Sequence, residues 1–261
     1  MPATLAPEEL ALSQSDLDTE ADAQERERQE RLRRQRILQL DDREFSADPD
    51  GYASIFEHVN QTLRDDLLAR SRPDRLAEMP EPMRARGQRD RRAGRSHRPS
   101  DEALSDAQKP AVGLVGETIA FAWLRRRYRD FFTPSCWVSS YRKSIGEPPG
   151  DDSLGYDFEI SLKTKTVFYE VKATAGTDLR FELGESEVRK AADCARTRRD
   201  DNRIIYIANA LNADARELHI LLNPLDPKNR RFYAFPSGLV VASSWRSRRT
   251  GPTFIRPSDA H

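Results

Sequence analysis

Cysteine is nearly absent from this chain. The two that occur in 261 residues, Cys136 and Cys194, have no metal-type spacing and no disulfide framework around them. That suits a reducing cytoplasm, which is the expected location. No apolar run approaches the roughly 18–20 residues of a membrane span, and the N-terminus lacks a secretory apolar core, so no membrane partner is expected. Apolar residues are 37% of the chain, below the usual ~45–50%, and the shortage is uneven: a polar N-terminal part precedes a denser C-terminal part. Net charge is missing as well. The 43 Lys plus Arg balance 43 Asp plus Glu, so the sum gives no pull toward nucleic acid and only clusters can. The sequence has no repeats, Gly-rich phosphate loop, zinc-type Cys/His spacing or nucleophile elbow.

What is present divides into four segments. Residues 1–70 read as a helical N-terminal region. From Asp16 to Leu40 acids crowd the start and arginines the end, which suits a helix dipole. Asp41 to Gly51 is expected as a loop, and Tyr52 to Ala69 as an amphipathic helix carrying Ile55, Phe56, Val59, Leu63, Leu67 and Leu68 at helical spacing. Such helices imply a docking surface, in this chain, in a protein partner or in a homo-oligomer. Residues 71–110 read as a flexible linker, with prolines at 73, 80, 82 and 99 and seven arginines between 84 and 98. Residues 111–245 form the compact domain, and 246–261 a basic flexible tail. In the compact domain a helix begins at Val112, Cys136 to Tyr141 is a candidate strand, Arg180 to Leu183 a short strand, and Glu185 or Ser186 starts a helix to about Thr197. Arg203 to Ala208 and Glu217 to Leu222 read as strands, with His219 a sheet residue rather than a ligand.

The chemistry concentrates in Tyr156 to Thr174. Two short runs rich in aromatic and β-branched residues, joined by a polar connection, read as a β-hairpin. With the turn at Lys163-Thr164, residues whose numbers sum to about 327 face each other, so Asp157 opposes Glu170. Glu170 and Lys172 share a face with Phe168, while Val167, Tyr169 and Val171 take the other. Two opposed carboxylates, with Cβ atoms about 5 Å apart, need an offsetting charge, which a hard divalent cation supplies. A solvent-facing sheet side explains this hairpin equally well when it is taken alone. Glu117 lies on an apolar stripe with Leu114, Phe121 and Leu124; a place in the first turn of its helix, where the dipole favours an acid, accounts for it without a site. Arg189, Lys190, Arg196, Arg198 and Arg199 make one side and the end of the 185–197 helix basic.

Taken in order, these pieces are Gly113-Leu114-Val115-Gly116-Glu117, Gly155-Tyr156-Asp157, Tyr169-Glu170-Val171-Lys172-Ala173-Thr174, Phe181-Glu182-Leu183, and Glu187 followed by Ala191. Over about residues 110–225 they resemble the PD-(D/E)XK nuclease superfamily, and within it most the restriction-endonuclease-like domain found at the C-terminus of the plant protein NO VEIN and of many bacterial proteins. The resemblance implies an α/β fold, with a restriction-endonuclease-like α-β-β-β-α-β core, a mixed central sheet and the mostly helical, partly disordered N-terminal region in front. It implies a metal-dependent endonuclease acting on DNA before RNA, in bacterial defence or restriction. Asp157, Glu170, Glu117 and the Val171 carbonyl would hold Mg2+ or Mn2+. Lys172 would orient or activate the attacking water, and Glu187 would be an auxiliary acid, with Glu185 in reserve. The five basic residues of the helix would follow the phosphate backbone. The alternative is a catalytically inactive nuclease-fold module that binds nucleic acid or protein in a larger complex.

Overall fold

The computed structural model describes residues 22–69, 104–176, 180–226, 233–235 and 238–242. Most of the linker, the tail and the first residues of the chain, whose composition predicts flexibility, lie outside the described residues. So does the arginine-rich run 84–98.

A helix, α1, covers residues 22–35 and stops short of the predicted Leu40. The chain then makes a hairpin of β1 (Ile37–Leu40) and β2 (Arg43–Ser46). Leu38 and Leu40 are buried and Gln39 between them is exposed, a strand alternation that overrides the helix-forming composition. Asp41 and Asp42 turn the corner with φ of 51° and 61°, the left-handed pair that a tight two-residue hairpin turn requires. The expected 52–69 helix is two helices, α2 (Tyr52–Thr62) and α3 (Asp65–Leu68), because Leu63 and Arg64 are extended.

The longest helix, α4 (Gln108–Tyr128), is buried nearly all round from Ala111 to Leu124, as suits a central helix rather than a surface one. It packs on the sheet so closely that a Cβ on Gly116 would lie 2.5 Å from that of Ala173. The expected strand 136–141 is absent. Its residues form two short 3-10 turns, Pro134–Cys136 and Ser140–Ile145, joined to the sheet by one bridge between Trp137 and Phe158. Pro134, which cannot donate to a ladder, opens the first turn.

The central sheet has the order β3-β4-β6-β7, made of β3 (Phe158–Ser161), β4 (Thr166–Ala173), β6 (Asp201–Ala208) and β7 (Glu217–Leu222). It is mixed: β4 runs antiparallel to β3 and parallel to β6, and β7 is antiparallel to β6. A parallel neighbour needs a crossover, here supplied by α5 (Glu185–Thr197). The element order is helix, three strands, helix, strand, but not through the expected strands: the 136–141 strand is missing, and the short strand Arg180–Glu182 completes the count. The third strand, β5 (Arg180–Glu182), nevertheless leaves the central sheet. It pairs with β9 (Gly238–Ala242), which pairs with β8 (Tyr233–Phe235), in a separate three-stranded sheet.

Alternation along β4 and β6 divides the interior. Val167, Tyr169, Val171, Ile205 and Ile207 face the main core, which also holds α4 residues such as Leu114 and Ile119. Ile204, Tyr206 and Ala208 face a smaller cluster with Phe181, Leu183 and Leu221, against which Val188 of α5 packs. Leu38, Leu40, Tyr52, Ile55 and Val59 belong to the main core too. The partner surface of α2 is thus α4 of the same chain, and no boundary at residue 70 separates two cores. A buried polar knot reinforces the join. Asp41 accepts from Arg216 Nη2 at 2.7 Å, Thr62 Oγ1 at 3.1 Å and the Ala213 amide at 2.5 Å, with His58 Nε2 at 3.2 Å.

Candidate active site

The hairpin register is the expected one. Phe158 faces Tyr169 and Ser161 faces Thr166, and the Leu162 amide donates to the Lys165 carbonyl at 2.8 Å across the Lys163-Thr164 turn. Asp157 stands just before β3. Its own amide donates to the Tyr169 carbonyl at 2.8 Å, and its Oδ2 accepts from the Val171 amide at 2.7 Å. The carboxylate is thereby fixed against the β4 backbone beside Glu170. Gly155 makes that entry feasible: its φ is 79°, and a Cβ there would lie 2.3 Å from the Ser186 carbonyl oxygen. A left-handed corner packed on the first turn of α5 admits no side chain.

Lys172, two residues beyond Glu170 on the same strand face, reaches two acids. Its Nζ lies 2.9 Å from Glu170 Oε1 and 2.8 Å from Glu187 Oε2. Glu187 is the third residue of α5, and its Oε2 also accepts the Gly184 amide at 3.0 Å. Helix capping and lysine positioning are thus done by one carboxylate. Glu185, the reserve acid, instead pairs with exposed Arg189 at 2.6 Å.

Glu117 is in the middle of α4, well past its first turn, so an effect of the helix start does not explain it. It is 6% exposed. Its Oε2 accepts from Trp137 Nε1 at 2.6 Å and from the Ser139 hydroxyl. Glu117, Asp157, Glu170 and Glu187 all line one pocket of about 250 Å³, together with Ser140, Tyr141, Asp152, Gly155 and Tyr156. Five residues spread from 117 to 187 in sequence thus converge, four on the wall and Lys172 bonded to two of them.

The electrostatics follow from crowding acids in a partly desolvated place. Burial pushes the Glu117 carboxyl up to about 8, against the two hydrogen bonds that favour its ionised form. Asp157 is held well above the usual carboxylate range by burial and then by Glu117, and Glu170 by burial and then by Asp157. Burial alone would lower the Lys172 ammonium, but the Glu170 and Glu187 carboxylates outweigh it and its pKa is raised. The two carboxylates therefore favour the charged form of Lys172.

The donor chemistry suits a hard divalent cation: buried carboxylate oxygens in excess of the one cation that balances them. As the side chains stand, Lys172 occupies Glu170 Oε1, and among the described residues no three His, Cys, Asp or Glu are gathered closely enough to enclose an ion. Val171, expected to contribute its carbonyl, is placed at the site through its amide on Asp157.

The basic residues expected to follow the phosphate backbone lie along α5 and just beyond its end. Arg189 pairs with Glu185 and Arg196 with Asp193, while Arg198 adopts a left-handed conformation at the helix end. Lys190 lies over the Phe168 and Tyr156 rings, 3.4 and 4.7 Å from their centroids. Arg199 is exposed, and none of the five is among the lining residues of the pocket. Residues that sequence reasoning missed are Trp137, Ser139, Tyr141 and Asp152. Asp152 fixes the pocket rim by accepting the Ser140 amide at 2.7 Å. All four come from the turn-rich stretch 134–155, which carries no periodic signal. No family model, curated protein or solved structure matches the chain.

Proposed function

We propose that this protein is a metal-dependent phosphodiesterase of the PD-(D/E)XK type, an endonuclease acting on DNA, with defence against foreign DNA as the setting. The observation that carries the reading is the convergence of Glu117, Asp157, Glu170 and Glu187 on one small pocket with Lys172 locked between two of them. Mg2+ or Mn2+ held by Asp157, Glu170 and Glu117 would polarise a phosphoryl oxygen and lower the pKa of a water. Within the chain, Asp157 and the Val171 amide set the position of the acids. Lys172, kept cationic, stabilises charge that develops on the phosphate and orients the water. Glu187 fixes the ammonium and ties it to the start of α5. The order helix, three strands, helix, strand supports the same family, although β5 pairs outside the central sheet.

Plasmid incubated with Mg2+ or Mn2+ tests the reading, with Asp157→Ala and Lys172→Ala beside the parent chain. Nicking or linearisation by the parent and its loss in both variants is the expected result; equal cleavage by all three refutes the assignment. A parallel RNA substrate in competition decides the nucleic acid. One observation favours a second reading, a nuclease fold that binds without cutting: the Lys172 ammonium lies on Glu170 Oε1, where a shared cation would otherwise sit. That reading expects nucleic-acid retention in a gel shift with no cleavage and no dependence on divalent ions.

A further inference from the structure

Among the described residues, the hydrogen bonds made by the Glu117 carboxylate fall on one oxygen. Oε2 receives the indole N–H of Trp137 at 2.6 Å and the hydroxyl of Ser139. The two donors also meet, with Trp137 Nε1 2.9 Å from Ser139 Oγ. A carboxylate gripped at one oxygen has its rotation stopped, and its second oxygen is presented in a fixed direction. Glu117 lines the pocket.

The grip is itself immobile. Trp137 is fully buried and Ser139 is 2% exposed. The indole stacks on Phe158 at 5.6 Å between ring centroids, on Phe56 of α2 at 6.1 Å, and meets Phe121 of α4 at 5.3 Å. The backbone between the two donors is tied to the strand end that bears Asp157: the Val138 amide donates to the Asp157 carbonyl at 2.8 Å. One stretch of irregular chain therefore sets Glu117 and Asp157 in relation to each other, although they come from a helix and a strand.

We propose that Trp137 and Ser139 are positioning residues for Glu117, holding one carboxylate oxygen so that the other is aimed at a divalent cation or its water in the pocket. The proposal rests on the nuclease reading of the same site. It also gives α2 a part in the site, since Phe56 braces the indole and the N-terminal region thereby supports the acids from behind. Groups that hold a metal ligand by its far side usually matter nearly as much as the ligand, with losses of about 10–100-fold in metal affinity or activity.

The test uses the full chain, with Mn2+ binding by calorimetry, plasmid cleavage and thermal unfolding measured together. Ser139→Ala removes one donor with the least change in volume, and Trp137→Phe removes the N–H while keeping a ring. Both are expected to weaken Mn2+ binding about 10–100-fold, and Ser139→Ala to do so with an unfolding temperature close to the parent's. In a Glu117→Gln background the Ser139→Ala change is expected to have no further effect on Mn2+ affinity, because the group it acts through has gone. Unchanged Mn2+ affinity in Ser139→Ala, or a loss that simply adds to that of Glu117→Gln, overturns the proposal. If Ser139→Ala binds normally while Asp157→Ala does not, the metal site stands and only the positioning role falls. A parent chain that neither binds Mn2+ nor cleaves overturns the nuclease reading and this proposal with it.

Discussion

Glu117→Gln is expected to stabilise the protein at pH 8, in the absence of divalent ions. The carboxyl ordinarily titrates near 4.5 and is here pushed up to about 8 by burial. A folded-state pKa above the unfolded one means that the folded protein keeps a proton that the unfolded chain releases. Below about 4.5 both states are protonated and the group contributes nothing. Between there and 8, stability falls as pH rises, by about 1.4 kcal/mol per pH unit, and above 8 the full cost of the buried charge is present. That cost is about 5 kcal/mol at 1.36 kcal/mol per pKa unit. Glutamine has nearly the same shape, its side-chain carbonyl accepts from Trp137 and Ser139, and it does not ionise. Urea unfolding at pH 5.5, 6.5, 7.5 and 8.5 in EDTA measures the effect. The gap between the two chains should be about 1.4 kcal/mol at pH 5.5, one unit above the unfolded value, and widen to several kcal/mol at the highest pH, equivalent to roughly 10 °C or more in unfolding temperature for a protein of this size. Taking the difference between them removes the titrating groups that do not interact with Glu117, while Asp157, which Glu117 holds up, stays in it. Asp201 acts in a separate window: Lys165 and Arg203 outweigh burial and lower its pKa, so its contribution is lost only as pH falls below the ordinary carboxylate range. Parallel pH profiles for the two chains, or a parent that grows more stable from pH 5.5 to 8.5 relative to Glu117→Gln, would refute the assignment of Glu117 as an acid held uncharged by burial. Mg2+ at about 100 times its dissociation constant should return about 2.7 kcal/mol to the parent and much less to Glu117→Gln.

Two further changes probe the frame around the site. Arg216→Met leaves the Asp41 carboxylate buried without its guanidinium, which lies 2.7 Å away with a side chain only 1% exposed; breaking such a pair costs about 3–5 kcal/mol, read as a lower urea midpoint at unchanged slope, and a loss below about 1 kcal/mol would show that α2 and the β6–β7 connection are not joined through it. Gly155→Ala places a Cβ 2.3 Å from the Ser186 carbonyl at a φ of 79°, so the start of α5 must move and with it the Glu187 that holds Lys172; a stability loss of about 1–3 kcal/mol together with reduced plasmid cleavage is expected, and normal cleavage would separate the corner from the lysine's placement.

The hairpin was legible because its signals are local. A polar turn between two β-branched and aromatic runs fixes the register once the turn is placed, and the Lys163-Thr164 turn puts Asp157 next to Glu170 with no knowledge of the rest. Glu217–Leu222 is equally plain, a short apolar run bounded by polar residues. The β1–β2 hairpin was not legible. Its turn is Asp-Asp, without the glycine or asparagine that advertises left-handed backbone, and it follows a strongly helix-forming run; Leu38 and Leu40 take strand form because the core of α2 and α4 accepts them that way. The partner of β5 lies far along the chain, in β9, and no local pattern specifies a pairing at that range. The grip on Glu117 escaped for the same reason: Trp137 and Ser139 are irregular backbone, and what places them is the Phe158 bridge and a wall of rings from three elements.

The pocket gathers more acids than its one ammonium among the described residues balances. One ammonium, Lys172, needs one carboxylate to be paired, and Glu187 at 2.8 Å supplies it while also capping α5. Glu170 adds a second and remains held above the ordinary carboxylate range despite the lysine. Asp157 and Glu117 bring two more acids that, among the described residues, have no cation of their own, each raising the cost of the next. Burying uncompensated carboxylates destabilises the folded state, and each has a neutral isostere that would keep its hydrogen bonds. Under the proposed metal-dependent reading this cost, met three times at one spot, would be offset by a divalent cation, which brings two charges to oxygen donors that suit it. The predicted gain from Glu117→Gln follows from burial alone, so it is the predicted loss of Mn2+ binding that separates a metal ligand from a residue that serves packing.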